Sequence, residues 1–491
     1  MSEDFVEKKR TVHITLDDLP AGTKEHPYGL EGKASMKLPE GVSEKSVFSD
    51  VIRIGWPAFM EFMLIQLTGM FDQIQVGSIG PFAISAVGVA TQPIFLLNTA
   101  FMSMNTGTMA MIARARGRGD RERAKMMLRQ GLIITSCASV LVMILGFLFS
   151  KQLIGLMGSN DPVVLEAGNT YLRIRMCAMI PFALTTTITS ALRGVGNSRI
   201  SLYYNATSNM VNIFFNWVLI NGRLGFPRLE VRGAAIATCI GECVAFTIAM
   251  FVIFNKKNYV FVNFFKGAFK PQILAIRDIV HIGIPAALEQ MVMRAGMIMF
   301  TRVVTSLGTD AYATHTICMN IQAFTFMNGQ AFAVSSTSLV GQSLGKRRYD
   351  MAQAYSRRCQ IVGFSVAAVF GIVFLFFGRN LVGLYTTQQD IIDAGAKILL
   401  MVALLQPFQS SQFILAGSMR GAGDTKAVAY ITGFTMLILR PSAAYILVNF
   451  FGLGLTGAWI ALMLDQGIRT LLVFMRYKSG KWKYTVVPVS E

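Results

Sequence analysis

Two carboxylates in an otherwise apolar stretch pose the chemical question. Residues 51–92 read VIRIGWPAFMEFMLIQLTGMFDQIQVGSIGPFAISAVGVATQ, a long helical pattern that carries Glu61 and Asp72 and closes in a Gly-rich turn. A carboxylate inside a membrane helix costs about 2.5–3.5 kcal/mol on insertion scales, so it should face protein or water and have a use. Burial disfavours the bare charge, which lets such a group capture a proton from one side and release it to the other. An interfacial position, or an ion pair with a buried arginine, is the alternative for Asp72. Glu61 lies 11 residues earlier, close to three helical turns, so the two acids share one face at different depths. Glu61 reads equally as a relay or as a tie between helices, because Glu289 repeats it later in the chain.

The rest of the chain says what must position these acids. Of 491 residues, 53% are hydrophobic and 15% charged, with a mean hydropathy of +0.50. That much apolar surface excludes a soluble fold of this size and predicts an all-α polytopic membrane protein. The net charge of +18 would suggest nucleic acid in a soluble protein. Here Lys and Arg gather in short loops between apolar runs, as topology determinants do, and no nucleic-acid partner is expected. The apolar runs predict twelve transmembrane helices near 50–78, 84–112, 127–150, 163–192, 199–220 and 233–254, then 278–304, 312–340, 356–378, 392–419, 425–449 and 455–476.

Residues 1–46 read as a polar, flexible cytoplasmic tail broken by Pro20, Pro27 and Pro39, without the apolar core of a signal peptide. Residues 47–254 form an N-terminal six-helix lobe, 255–277 a basic cytoplasmic linker, 278–476 a C-terminal six-helix lobe and 477–491 a cytoplasmic tail. Orientation follows from the basic loops: Arg114 to Lys125 after helix 2, Lys256, Lys257, Lys266 and Lys270 after helix 6, and Lys346 to Arg348 after helix 8. Both termini should then be cytoplasmic, in a cell membrane, although Arg223, Arg228 and Arg232 on the other side weaken the contrast.

The chain also repeats itself. Gly55, Pro57 and Glu61 match Gly283, Pro285 and Glu289 at an offset of 228 residues, and Gly117 matches Gly345 at the same offset. Leu192-Arg-Gly-Val-Gly-Asn-Ser-Arg199 echoes Met419-Arg-Gly-Ala-Gly-Asp-Thr-Lys426, and Gly233-Ala-Ala-Ile-Ala237 echoes Gly457-Ala-Trp-Ile-Ala461. Because each half holds six spans, both begin on the same side, so a pseudo-two-fold axis along the membrane normal should relate them. That is the plan of a transporter whose halves rock about a central substrate. Pro57, Pro181, Pro285 and Pro407 interrupt helices 1, 4, 7 and 10, each removing a backbone hydrogen bond and permitting a bend.

These residues resemble the multidrug and toxic compound extrusion family of cation-coupled antiporters over roughly residues 50–476. Pro57 with Asp72 and Gly77-Ser-Ile-Gly80, the paired Arg-Gly-X-Gly segments, Asn212 to Trp217, and the paired Gly-Ala helix starts carry the likeness. In its DinF-like branch, the resemblance implies a cation or proton site at Asp72, Asn212, Asn216 and Thr238. Asn216 stands where that branch has a second carboxylate. The NorM-like branch uses acids at positions that align here with Met293 and Gln409, so the resemblance places coupling in the first half. Asn212 and Asn216 are four apart and share a helix face. With Asp72 and Thr238 they would offer oxygen ligands to a small hard cation such as Na+, or a site for a proton, which the single acid favours. H+ or Na+ is thus the expected coupling ion, with no cofactor and no metal beyond that Na+.

Charges within the spans divide between the halves. Glu61, Asp72 and Glu242 lie in the first, and Arg294, Arg302 and Arg440 lie beside Glu289 and Asp465 in the second. They suggest an acidic lobe facing a basic one, or in part local pairing such as Glu289 with Arg294. Glu61, Glu242, Gln290, Met293, Arg294 and Gln409 are candidates to line a substrate cavity. The 29 Met and 36 Phe include soft and aromatic surfaces suited to varied organic cations, while most of them pack or face lipid. The expected partners are small organic substrates and the bilayer, and the expected state is a monomer.

A lipid-linked oligosaccharide flippase of the same superfamily is the nearest alternative, favoured by Arg294 and Arg440. It would need two further helices that residues 482–491 leave no room for. An intramembrane enzyme would need a nucleophile with its base or a metal motif such as HExxH, and the spans carry neither. No Walker A pattern is present to make ATP the direct driving force. Cys137, Cys177, Cys239, Cys243, Cys318 and Cys359 form no CxxC pair and read as small hydrophobes. His13, His26, His281 and His315 are too dispersed for a metal site.

Overall fold

The protein is described by a computed structural model covering residues 16, 19–22, 28–29, 38, 42–156, 161–263 and 270–485. His13, His26, Pro27, Pro39 and Lys266 lie outside the described residues. The first half comprises α1 (Glu44–Gly77), α2 (Pro81–Gly117), α3 (Arg121–Leu148), a short α4 (Ser150–Gly155), α5 (Pro162–Cys177), α6 (Met179–Gly194), α7 (Ser198–Asn221) and α8 (Glu230–Phe254). The second comprises α9 (Ile273–Thr305), α10 (Thr309–Gly345), α11 (Tyr349–Gly383), α12 (Gln389–Ala422), a span of α13 (Thr425–Gly433) and α14 (Arg440–Tyr445) with π-helical turns after each, and α15 (Gly454–Lys478). Helix α9 begins five residues before the expected start of its lobe, and α1 three residues before its own.

These elements make twelve spans in two pseudo-symmetric six-helix bundles. Among the described residues, seven helices are long and apolar enough to cross a membrane, or eight with α5 and α6 taken as one span. Helices α1, α7, α9 and α10 have the length but carry more polar groups. The fourth span bends by 54° between α5 and α6. Pro181 lies just beyond that break, and its ring both lacks an N–H and crowds the carbonyl of Cys177 four residues back. Each lobe has its own apolar core, around Met127, Leu128, Ile188 and Leu192 in the first and around Phe300, Leu399, Val402 and Trp459 in the second.

The pseudo-two-fold is visible as reciprocal contacts between lobes. A Cβ built on Gly117 would sit 1.9 Å from the Gln342 carbonyl oxygen, and one on Gly345 would sit 2.2 Å from the Arg114 carbonyl oxygen. Gln342 is the repeat partner of Arg114, so α2 and α10 exchange the same contact, as an isologous interface requires. Gly55 meets the Phe332 ring and Gly283 meets the Met104 sulfur, each at 2.6 Å from such a Cβ. Those residues are again related by 228 positions. Hydrogen bonds close the same end: Ser338 Oγ donates to the Arg193 carbonyl at 2.7 Å, Gln342 Nε2 to the Gly194 carbonyl at 3.0 Å, and Arg114 to the Ala422 carbonyl.

Part of the segment expected as a flexible tail is docked on this end. Tyr28 pairs by a backbone bridge with Arg348, whose guanidinium lies 4.4 Å from the Tyr28 ring. Leu16 is buried with Val47, Val51 and Phe332, and Lys483 Nζ donates to the Gly29 carbonyl at 3.0 Å. Burial lowers the Lys483 ammonium pKa. At the other terminus Trp482 is buried and stacks on Tyr477 at 5.4 Å.

Candidate ion-coupling site

Helices α1 and α7 run side by side in the same direction, because Glu61 meets Asn205 and Asp72 meets Asn216, both 144 residues apart. That register brings the sequence-derived ion ligands together. Asn216 Nδ2 donates to Asp72 Oδ1 at 2.6 Å and lies 3.4 Å from Asn212 Oδ1. Asn212 Nδ2 donates to Thr238 Oγ1 at 3.1 Å, and Thr238 Oγ1 donates to the Ala234 carbonyl at 2.9 Å. The four residues therefore form one hydrogen-bonded chain across α1, α7 and α8. Asn212 and Asn216 are buried, Asp72 is half-buried, and Asn216 Oδ1 is buried without a partner. An unpaired buried carbonyl beside a carboxylate is an acceptor pair that a cation or a carboxyl proton would satisfy.

Four other acids of the spans are neutralised. Arg193 meets Glu61 Oε2 at 2.9 Å, with Ser201 Oγ and Asn205 Nδ2 donating to the same carboxylate at 3.1 and 2.5 Å. Arg420 meets Glu289 at 2.6 Å. Arg175 grips Glu242 with two parallel bonds of 2.7 and 2.8 Å, the fork geometry that makes Arg–carboxylate pairs strong. Asp465 accepts from Arg440 Nε at 2.9 Å and from Arg469. Among the described residues, Asp72 is the one of these five acids without a basic group within 4.0 Å. Arg175 is within electrostatic reach of Asp72, yet its charge is already met by Glu242.

This pairing corrects the expectation of an acidic lobe facing a basic one. Glu61, Glu242, Glu289 and Asp465 each find an arginine in their own lobe, because an unpaired charge would be costly in the low dielectric and the lobe core fixes the partner. Glu289 takes Arg420 and not Arg294. The guanidinium of Arg294 lies instead 5.2 Å from the Phe95 ring of the opposite lobe. The remaining cavity candidates are dispersed. Gln290 and Met293 are half-buried on α9, while Gln409 is buried in the second lobe and accepts from Gln322 Nε2 at 3.3 Å. The partners missed from sequence are Arg175, Arg193, Arg420 and Arg469. A signal for two of them was present, since the repeat that relates Glu61 to Glu289 also relates Arg193 to Arg420.

The family model MatE matches residues 57–218 and again 285–446, two copies at the offset found in the sequence. The chain belongs to the MatE family. It is similar to the probable multidrug resistance protein NorM of Thermotoga maritima, with 28% identity over 442 residues, covering 90% of this chain and 94% of the relative. Its fold is that of a solved outward-facing multidrug resistance MATE family transporter of the MOP superfamily, at a TM-score of 0.82 and 22% identity, over 91% of this chain and 99% of that one. A MOP superfamily transporter from Pyrococcus furiosus, described as having reverse polarity of its binding pocket that suggests a different function, matches at a TM-score of 0.82, with 21% identity over 91% and 99% of the two chains. The MatE chain described here is thus a multi-pass membrane protein with the two-bundle MATE architecture.

Proposed function

We propose that this chain is a cation-coupled multidrug antiporter, which exports organic, cationic amphipathic compounds by alternating access of its two lobes. Asp72, held by the Asn216 amide while Glu61, Glu242, Glu289 and Asp465 are each paired with arginine, is the observation that carries the reading. A group so placed can bind H+ or Na+ from the side of high electrochemical potential. Loading it removes the charge that holds the Asn216 amide, and a cation that prefers one lobe arrangement shifts the population toward it. The arrangement fits the DinF-like branch better than the NorM-like one, because Met293 and Gln409 carry no charge. The basic loops around Arg114 to Lys125, Lys256, Lys257 and Lys346 to Arg348 support a cytoplasmic location for the tails and the 255–277 linker, and the lobe contacts at that end support a state closed on that side. Names of relatives such as NorM support multidrug substrates.

The test is dye transport by wild-type protein in liposomes, with a proton or a sodium gradient imposed separately. Uphill efflux of a cationic dye driven by one of these gradients is expected, and the effective gradient names the ion. Dye movement that ignores both gradients would overturn the antiporter reading. Arg294, exposed beside Phe95 where the lobes meet, is the feature that favours an anionic lipid-linked cargo instead. That cargo would show as flipping of a labelled lipid-linked sugar with no dye efflux.

A further inference from the structure

The first lobe also holds a basic cavity of about 240 Å³ at the end that carries the termini, about five helical turns along α1 from Asp72. Its walls include Arg53 of α1, Arg116 of α2, Asn197 and Arg199 at the start of α7, and Asn258 and Tyr259 of the segment after α8. Three guanidiniums line this space and no described carboxylate does. Among the described residues, Arg53 and Arg199 have no acid within 4.0 Å. The Tyr259 hydroxyl is buried without a hydrogen-bond partner.

The wall formed by the linker segment is built and not incidental. Arg121 donates to the Tyr259, Lys256 and Asn258 carbonyls at 3.0, 3.2 and 2.7 Å, and Arg116 lies 4.3 Å from the Tyr259 ring. The Asn258 amide donates to the Val252 carbonyl at 2.7 Å. The second lobe shows what closes the equivalent place. There the repeat partner of Asn197 is Asp424, whose carboxylate takes Arg476 at 2.8 Å, and the partners of Arg53 and Arg116 are His281 and Leu344. The first lobe has an amide in place of that acid and Arg53 in place of His281, so the charge of Arg53 and Arg199 is left for something from outside. Arginine forks match the oxygens of a phosphate, and the start of α7 adds its partial positive charge to the same side. A basic pocket between helix ends at the membrane surface also suits a lipid headgroup.

We propose that this cavity binds a phosphate group, supplied either by an anionic phospholipid headgroup or by a soluble phosphate, and so pins residues 255–260 to the ends of α1, α2 and α7. The full-length protein in phosphatidylcholine nanodiscs would be given inorganic phosphate in one arm and phosphatidic acid in the membrane in the other. Binding is read by thermal unfolding and by hydrogen exchange of residues 255–262. Wild type should gain stability and slow its exchange there in at least one arm: a response to phosphate names the soluble source, and a response to the lipid alone names the headgroup. The exposed pair Arg53→Gln/Arg199→Gln should weaken that binding about tenfold or more, the scale of one charge-assisted hydrogen bond lost. The single R199Q should fall between. Lys478→Gln, which removes an exposed charge from the same face of the other lobe, should bind as wild type does. Equal weakening by K478Q would reveal diffuse attraction to a basic surface and overturn the site. So would a wild type that responds to neither probe.

Discussion

The two lobes share one fold and differ most around Asp72. Near the end that bears the termini, outside the basic cavity, the ties between helices are copied: Glu61–Arg193 repeats as Glu289–Arg420, and Gly117 and Gly345 touch opposite carbonyls in the same way. Toward the other end the likeness stops. Asp72, Asn212, Asn216 and Thr238 correspond by the repeat to Phe300, Leu439, Ala443 and Leu462. Close to that level, the second lobe has Arg440 5.7 Å from the Phe300 ring and clamped with Arg469 on Asp465, all three side chains at most 5% exposed. The duplicated pairs tie helices together, as the Asp465 clamp does in the second lobe alone, and Asp72 is left without a basic partner within 4.0 Å among the described residues.

The sharpest way to break this contrast is to neutralise one acid in each lobe. Asp465→Asn leaves two buried guanidiniums without an anion and should cost more than the about 3–5 kcal/mol typical of one broken buried pair. Asp72→Asn breaks no ion pair and should unfold within about 1 kcal/mol of wild type. Thermal unfolding in detergent compares them directly, and equal losses would erase the distinction between a structural and a working carboxylate. Next in size are Glu61→Gln and Glu289→Gln. Each should cost about 3 kcal/mol, and by similar amounts, if the duplicated pairs are ties. A much smaller loss at Glu61 would return it to the relay role.

Smaller effects test the contact between lobes. Gly117→Ala and Gly345→Ala each place a methyl group inside a carbonyl's van der Waals radius, an overpacking worth about 1–3 kcal/mol against the closed end. Distances between spin labels on α2 and α10 should lengthen alike in both variants; a shift in only one would deny the reciprocity. Smallest is Thr238→Val, which removes the acceptor of the Asn212 amide at a cost near 1 kcal/mol. It should raise the half-saturating concentration of the coupling ion about fivefold in transport assays, while a wild-type value would place Thr238 in packing alone.

Much of this was legible in the chain. Apolar runs and a 228-residue offset suffice for twelve spans and two halves, because a bilayer demands length and a repeat leaves its glycines and prolines in register. The proposed ion ligands Asp72, Asn212, Asn216 and Thr238 come from the family resemblance, and helix periodicity adds that the two amides share one face. Charge pairing was not legible. Glu289 with Arg294 is plausible by spacing, yet the partner is Arg420, brought from 131 residues away by the packing of α9 against α13, which follows the end of α12 that carries Arg420. Nor could sequence show that the backbone of Gly22 and Tyr28 is docked, because they pair with residues 346–349 through main-chain groups that leave no side-chain signature. The basic cavity needed coordinates as well, since its three arginines come from three helices.

Asp72→Asn in proteoliposomes tests coupling in the first lobe most directly when two transport modes are measured in the same vesicles. Gradient-driven uphill efflux of a cationic dye should vanish, while exchange of dye for dye across the membrane persists, because cargo binding and lobe movement survive without the coupling group. Uphill efflux at the wild-type rate in Asp72→Asn would contradict the assignment and move the coupling site elsewhere in the chain.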